Sequence, residues 1–115
     1  MKAKFRIAYL EEAEEFIGSL DKKTQAKIIY NLGKAQIVND HELLKKLNGE
    51  IWEFRTLYNK LHLRLFAFWD KTERTDTLVI CTHGIIKKTD KTPHTEIEKA
   101  EELRKLYFEF KLNKK

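Results

Sequence analysis

Between His83 and Pro93 the chain reads His-Gly-Ile-Ile-Lys-Lys-Thr-Asp-Lys-Thr-Pro, which gathers Lys87, Lys88 and Lys91 into one short segment. The residues before it, Leu78, Val79, Ile80 and Cys81, form an apolar run that reads as a strand inside a sheet, and Thr92-Pro93 reads as a helix start. The lysines are therefore expected at a rigid junction of two elements. Ammonium groups held between a strand end and a helix N-terminus, whose own free N–H groups favour anions, suit a phosphate backbone. The same residues would also serve as a solvated turn that discourages edge pairing.

Two arginines supply the second part of the chemistry. Trp52, Phe54 and Tyr58 alternate with Glu53 and Arg55, and Leu63, Leu65 and Ala67 alternate with His62, Arg64, Phe66 and Phe68. With the apolar side turned toward helices, Arg55 and Arg64 share an open sheet face, and the lysines finish the neighbouring strand. Five cations then converge on a shallow groove where Phe66, Tyr58 or His62 is available to stack on a base. A cross-strand ion pair between Glu53 and Arg64 fits the same pattern. Such a groove could support RNA cleavage by the 2′-hydroxyl, in which arginine grips the phosphate bidentately and lysine stabilises developing charge. His62, His83 and His94 are alternatives for proton transfer. His83, in an apolar strand, reads as a packed or hydrogen-bonded histidine, and His94, at a helix start, as a solvated one.

The elements that must position these groups follow from periodicity. Lys4 to Tyr9 reads as a strand. Ala13, Phe16, Ile17 and Leu20 have helical spacing, Gly18-Ser19 interrupts, and Asp21 caps a second helix whose stripe of Ala26, Ile29, Tyr30, Gly33 and Ile37 predicts a core face. Asp40 is expected to cap one more helical turn carrying Leu43, Leu44 and Leu47, before the Asn48-Gly49 turn. Strands over 51–58 and 61–69, joined across Asn59-Lys60, and a third over 77–86 after the polar loop 70–76, predict an antiparallel meander. A last helix starts at Pro93, with Thr92 as N-cap, and places Ile97, Ala100, Leu103, Tyr107 and Phe110 on one face. The predicted fold is α+β: an N-terminal strand, a helical hairpin, a three-stranded antiparallel meander and a C-terminal helix, with the helices on one side of the sheet.

Composition narrows the function classes. The 115 residues, 42% hydrophobic and 36% charged with 4 Gly and 1 Pro, predict one globular domain over 1–115. A net charge of +5 permits nucleic-acid contact and falls well short of a histone-like excess. One cysteine, Cys81, reads as a core residue and predicts a reducing compartment. The N-terminus alternates where a signal peptide would be continuously apolar, and no stretch has the length of a membrane span, so a cytoplasmic protein without a membrane partner is expected. The glycines are isolated, no zinc-ligand spacing occurs, and the single serine, Ser19, has no nucleophile-elbow context. The expected chemistry uses no cofactor and no metal.

Two stretches resemble the RelE/ParE toxin superfamily, and more closely its HigB-like, phage-derived branch. One is Leu47 to Arg55, Leu-Asn-Gly-Glu-Ile-Trp-Glu-Phe-Arg, followed by Leu63-Arg64-Leu65-Phe66; the other is His83-Gly84, Lys87-Lys88-Thr89, Lys91-Thr92-Pro93, Glu96-Ile97 and Ala100. The resemblance covers the second half of the chain. It implies a RelE-like toxin of a type II toxin-antitoxin system that acts as a ribosome-dependent messenger RNA endonuclease and inhibits translation. A helix-turn-helix antitoxin of the HigA kind would hold it inactive, with DNA reached only through that complex. Carried over residue by residue, it points to Arg55, Arg64, Lys87, Lys88 and Lys91 as the RNA-contacting and catalytic set, of which Arg55, Arg64, Lys88 and Lys91 are read as catalytic and Lys87, joined by His62 and Phe66 from the strand alternation, as RNA contacts. In that reading the arginines grip the scissile phosphate and Lys88 or Lys91 stabilises the leaving oxygen. Ile85 stands where the family usually has Phe, and His62 stands near where another basic residue is common, which leaves the proton donor and acceptor open. Two other classes share these features: inhibitors of DNA gyrase within the same superfamily, and a basic nucleic-acid-binding module without catalysis.

Overall fold

The computed structural model describes residues 3–73, 77–89 and 91–113. Along the chain it runs β1 (Arg6–Tyr9), α1 (Glu11–Gly18), α2 (Lys22–Ile37), β2 (Leu44–Lys46), β3 (Trp52–Tyr58), β4 (Leu61–Asp70), β5 (Leu78–Lys87) and α3 (His94–Asn113). The strands form one mixed sheet in the order β1-β5-β4-β3-β2, with β1 parallel to β5 and the other pairs antiparallel. The expected meander is present as β3, β4 and β5. Its tight hairpin places both loop residues at positive φ, Asn59 at 56° and Lys60 at 65°, the backbone twist that two-residue hairpins need. Of the expected loop 70–76, positions 74–76 lie outside the described residues, as does Asp90 in the lysine segment.

The predicted helical turn at Leu43 and Leu44 is corrected to a short edge strand. Asp40 does start a turn there, its carbonyl accepting from Leu43 and Leu44, but β2 then pairs with β3 and the Leu43 carbonyl accepts from the Arg55 N–H at 2.8 Å. Leucines spaced three and four apart suit one helical turn as well as a strand of this length, and the unpaired edge of β3 decides between them. The exposed Lys45 and Lys46 keep this new edge from pairing further.

Two apolar clusters lie on opposite faces of the sheet. Leu63, Leu65 and Ala67 of β4, Phe54 of β3, and Val79 and Cys81 of β5 pack against α1 and α2 through Ala13, Ile28, Leu32 and Ala35. Asp21 caps α2 as expected, accepting from the Thr24 N–H at 2.8 Å. The α2 core face, however, is not the one anticipated: Ile28, Leu32 and Ala35 are buried, while Ile29 is 51% and Tyr30 64% exposed. Both stripes have helical spacing, and which one faces β3 cannot be decided from periodicity within α2 alone.

The second cluster, Ile51, Phe66, Phe68, Ile80 and Ala100, belongs to the face expected to be open. Helix α3 covers it with Ile97, Ala100, Tyr107 and Phe108, whereas Phe110 is exposed. Helices thus lie on both faces, and the end of this second face beyond α3 remains accessible at Arg55 and His62. Among the described residues no helix is long and apolar enough to cross a membrane.

Candidate functional site

At that uncovered end, Arg55 of β3 and Arg64 of β4 stand directly opposite each other in the antiparallel register. They are on one face, as their alternation requires. Like charges directly opposite destabilise a sheet unless a counter-charge intervenes. Glu53, two residues before Arg55 and on the same face, intervenes. Its Oε2 lies 3.6 Å from Arg55 Nε and its Oε1 3.4 Å from Arg64 Nε. Glu53 and Arg64 are each only 2% exposed, so one buried carboxylate fixes both guanidinium groups. The expected ion pair and the expected arginine cluster are the same structure.

The lysine segment joins the cluster through a hydroxyl. Thr92 Oγ1 donates to Glu53 Oε1 at 2.9 Å and accepts from Lys87 Nζ at 3.3 Å. Thr92, anticipated as a helix cap, instead pins the turn before α3 to the arginine site. Lys87 is buried beneath this contact, so its expected role in touching RNA is corrected to positioning. Lys88 and Lys91 are exposed on the segment it anchors, with Lys91 immediately before Thr92.

Arg55, Leu57, His62, Arg64 and Glu42 line an open cleft of about 170 Å³. His62 pairs with Leu57 across β3 and β4 and with Lys87 across β4 and β5, which places it at the mouth of the site. Glu42 comes from the turn before β2, held there by its own N–H donating to Asp40 Oδ1 at 2.8 Å. Sequence reasoning missed Glu42. The Asp-x-Glu turn was a signal only once β2 was known to run beside β3.

Phe66 requires the plainest correction. It is fully buried and stacks on His83, with ring centroids 4.8 Å apart, so it cannot offer a face to a base. The exposed apolar surface of the cleft is Leu57, 62% exposed. Burial of Phe66 follows from α3 lying over the sheet face that alternation alone left open. Tyr58 packs on the opposite face against α1 and α2.

His83 is also internal, as its apolar strand implied. Its Nε2 lies 2.9 Å from Glu96 Oε1 and its Nδ1 2.9 Å from Thr82 Oγ1. Burial lowers its pKa, against the opposing pull of the Glu96 hydrogen bond, so the neutral ring is favoured at neutral pH. His94 is exposed on the first turn of α3. Burial pushes the Cys81 thiol up to about 12, which suits a packed thiol and not a nucleophile. Buried as they are, His83 and Cys81 are not placed to act on a bound phosphate.

The cleft can therefore present two pre-positioned guanidinium groups to a phosphodiester and offer Glu42 or His62 for proton transfer, and the lysine-bearing turn is tied to it through Thr92 and Glu53. Residues 15–105 match the family described as phage derived protein Gp49-like (DUF891). The match spans the arginine hairpin, the lysine segment and most of α3, and the chain belongs to this RelE-like family of toxin-antitoxin toxins. No curated protein matches the chain.

Proposed function

We propose that this protein is a HigB-like toxin that cleaves messenger RNA in the translating ribosome, using Arg55 and Arg64 to hold the scissile phosphate. The observation that carries the reading is the arginine pair held by a single buried carboxylate at the rim of an accessible cleft. Placing two like charges opposite each other lowers sheet stability, and such an arrangement is useful where a dianionic phosphorane must be stabilised.

In the proposed reaction the 2′-oxygen attacks phosphorus, the 5′-oxygen leaves, and the products are a 2′,3′-cyclic phosphate and a 5′-hydroxyl. The 2′-hydroxyl proton passes to Glu42 or His62, the two proton-accepting groups lining the cleft. The leaving oxygen takes a proton from the solvent-facing side, where Lys88 and Lys91 stabilise its charge. Chemistry of this kind needs positioning and charge stabilisation from the protein and no resident cofactor. The partners in this reading are the ribosome and messenger RNA, together with a helix-turn-helix antitoxin of the HigA kind that blocks the toxin.

Inducible expression of the wild type beside Arg55→Ala tests the reading, with growth followed and messenger RNA ends mapped in the same cultures. Arg55 is the better probe because it is less buried than Arg64. Growth arrest with new RNA ends inside reading frames, both lost in the variant, is expected. Arrest with intact messages and damaged DNA would move the assignment to a gyrase inhibitor; soluble, folded protein without arrest would leave a binding module.

A further inference from the structure

Helix α2 carries a second apolar stripe that the protein's own core does not use. Ile29 is 51% and Tyr30 64% exposed, and with Gly33, Ile37 and Val38 they line a surface groove of about 520 Å³ on the side of α2 away from the sheet. The buried face of the helix, Ile28, Leu32 and Ala35, is already spent on β3 and its neighbours. An exposed apolar groove of this kind marks an interaction surface.

Gly33 strengthens that conclusion independently. A glycine inside a helix destabilises it relative to alanine. Nothing among the described residues requires it, because a Cβ built at Gly33 meets none of their atoms within 4 Å. The missing side chain instead leaves a notch between Tyr30 and Ile37 where a partner's side chain or backbone can approach closely.

Charge selects the occupant. The 16 residues of α2, Lys-Lys-Thr-Gln-Ala-Lys-Ile-Ile-Tyr-Asn-Leu-Gly-Lys-Ala-Gln-Ile, contain lysines at 22, 23, 27 and 34 and no carboxylate. Lys27 Nζ sits 5.6 Å from the centre of the Tyr30 ring and Lys34 borders the groove, so ammonium groups flank the stripe. A second copy of the chain would bring two such lysine sets together, which like-charge repulsion opposes. A nucleic acid would meet the lysines but gain nothing from the aliphatic centre of Ile29, Ile37 and Val38. We propose that this groove docks an amphipathic helical segment of another protein, with an apolar stripe flanked by Asp and Glu. The site is separate from the arginine cleft, and its test does not depend on RNA cleavage.

The experiment titrates the isotopically labelled full chain with a synthetic helical peptide of roughly four turns, bearing a leucine stripe flanked by glutamates. The control peptide has lysines in place of the glutamates. Amide shifts confined to α2 and its flanks, salt-sensitive and at least tenfold weaker for the lysine peptide, are expected. Tyr30→Glu and Gly33→Leu should each weaken binding by tenfold or more while circular dichroism and thermal unfolding stay those of a folded protein. Equal binding of both peptides, or shifts elsewhere, would overturn the proposal. So would stronger binding of a short single-stranded RNA at the same amides, or a concentration-dependent dimer abolished by Tyr30→Glu.

Discussion

Glu53 is the residue on which the arginine site depends. Its carboxylate is shared by Arg55, Arg64 and the Thr92 hydroxyl, so neutralising it removes the counter-charge from a guanidinium that is almost wholly buried. Breaking a buried pair from one side costs about 3 to 5 kcal/mol. Glu53→Gln keeps the shape and a hydrogen-bond acceptor, and should lower unfolding free energy toward the bottom of that range in urea titrations. It should also release the turn carrying Lys88 and Lys91, visible as faster amide exchange around Thr92. Unchanged stability would mean that the arginines are balanced elsewhere. The two arginines and their shared face were legible from alternation alone. The Glu42 side chain and the burial of Phe66 and Lys87 were not, because each depends on a neighbouring element whose position the local pattern does not encode.

Two of the contacts between helices and sheet each make a prediction about an element. Helix α1 lays Phe16 directly on Gly84 of β5: a Cβ at Gly84 would stand 2.2 Å from Phe16 Cδ2. Gly84→Ala must push α1 outward, and overpacking of this kind costs about 1 to 3 kcal/mol. Phe16→Leu in the same chain should recover part of the loss, which chemical denaturation of the single and double variants would measure. The glycine of the His-Gly pair is thus explained by packing against α1, and the histidine by its contacts with Phe66 and with Glu96 of α3. At the other end, Asp70 Oδ2 accepts from Tyr107 and from Lys111 Nζ, each at 2.6 Å, which ties the last turns of α3 to β4. Asp70→Asn should loosen those turns, with amide exchange rising from Tyr107 onward while α1 and α2 stay protected. The helix positions, the hairpin and the three-stranded meander could be read from hydrophobic period and turn chemistry. The side of the sheet on which α3 lies could not, since its apolar stripe fits either face.

For the molecule as a whole, acid should destabilise the fold in two stages. Burial holds the His83 pKa below the ordinary histidine value, so the unfolded chain binds a proton first as pH falls. The contribution of the neutral ring is complete above about pH 6.5 and is lost progressively below it. Burial alone would raise the Asp70 carboxyl, but the hydrogen bonds from Lys111, Thr72 and Tyr107 outweigh it and hold the group well below the usual carboxylate range. Its contribution is complete above about pH 5 and falls as pH drops further through the carboxylate range. Thermal unfolding between pH 4 and 7.5 should therefore give a melting temperature that rises with pH across both windows. His83→Gln should flatten the upper one. The two-sided arrangement of helices also explains the size of the candidate site: α3 covers much of one sheet face through Ile97, Ala100, Tyr107 and Phe108, and the arginine cleft lies beyond it.

The most direct test of the central claim is the chemistry of the RNA ends formed when the purified protein is added to a translating extract. The proposed function predicts cuts only in ribosome-bound messages, each leaving a 2′,3′-cyclic phosphate and a 5′-hydroxyl, and none with folded Arg55→Ala protein. Intact messages, or cuts that leave a 3′-hydroxyl and a 5′-phosphate, would contradict it.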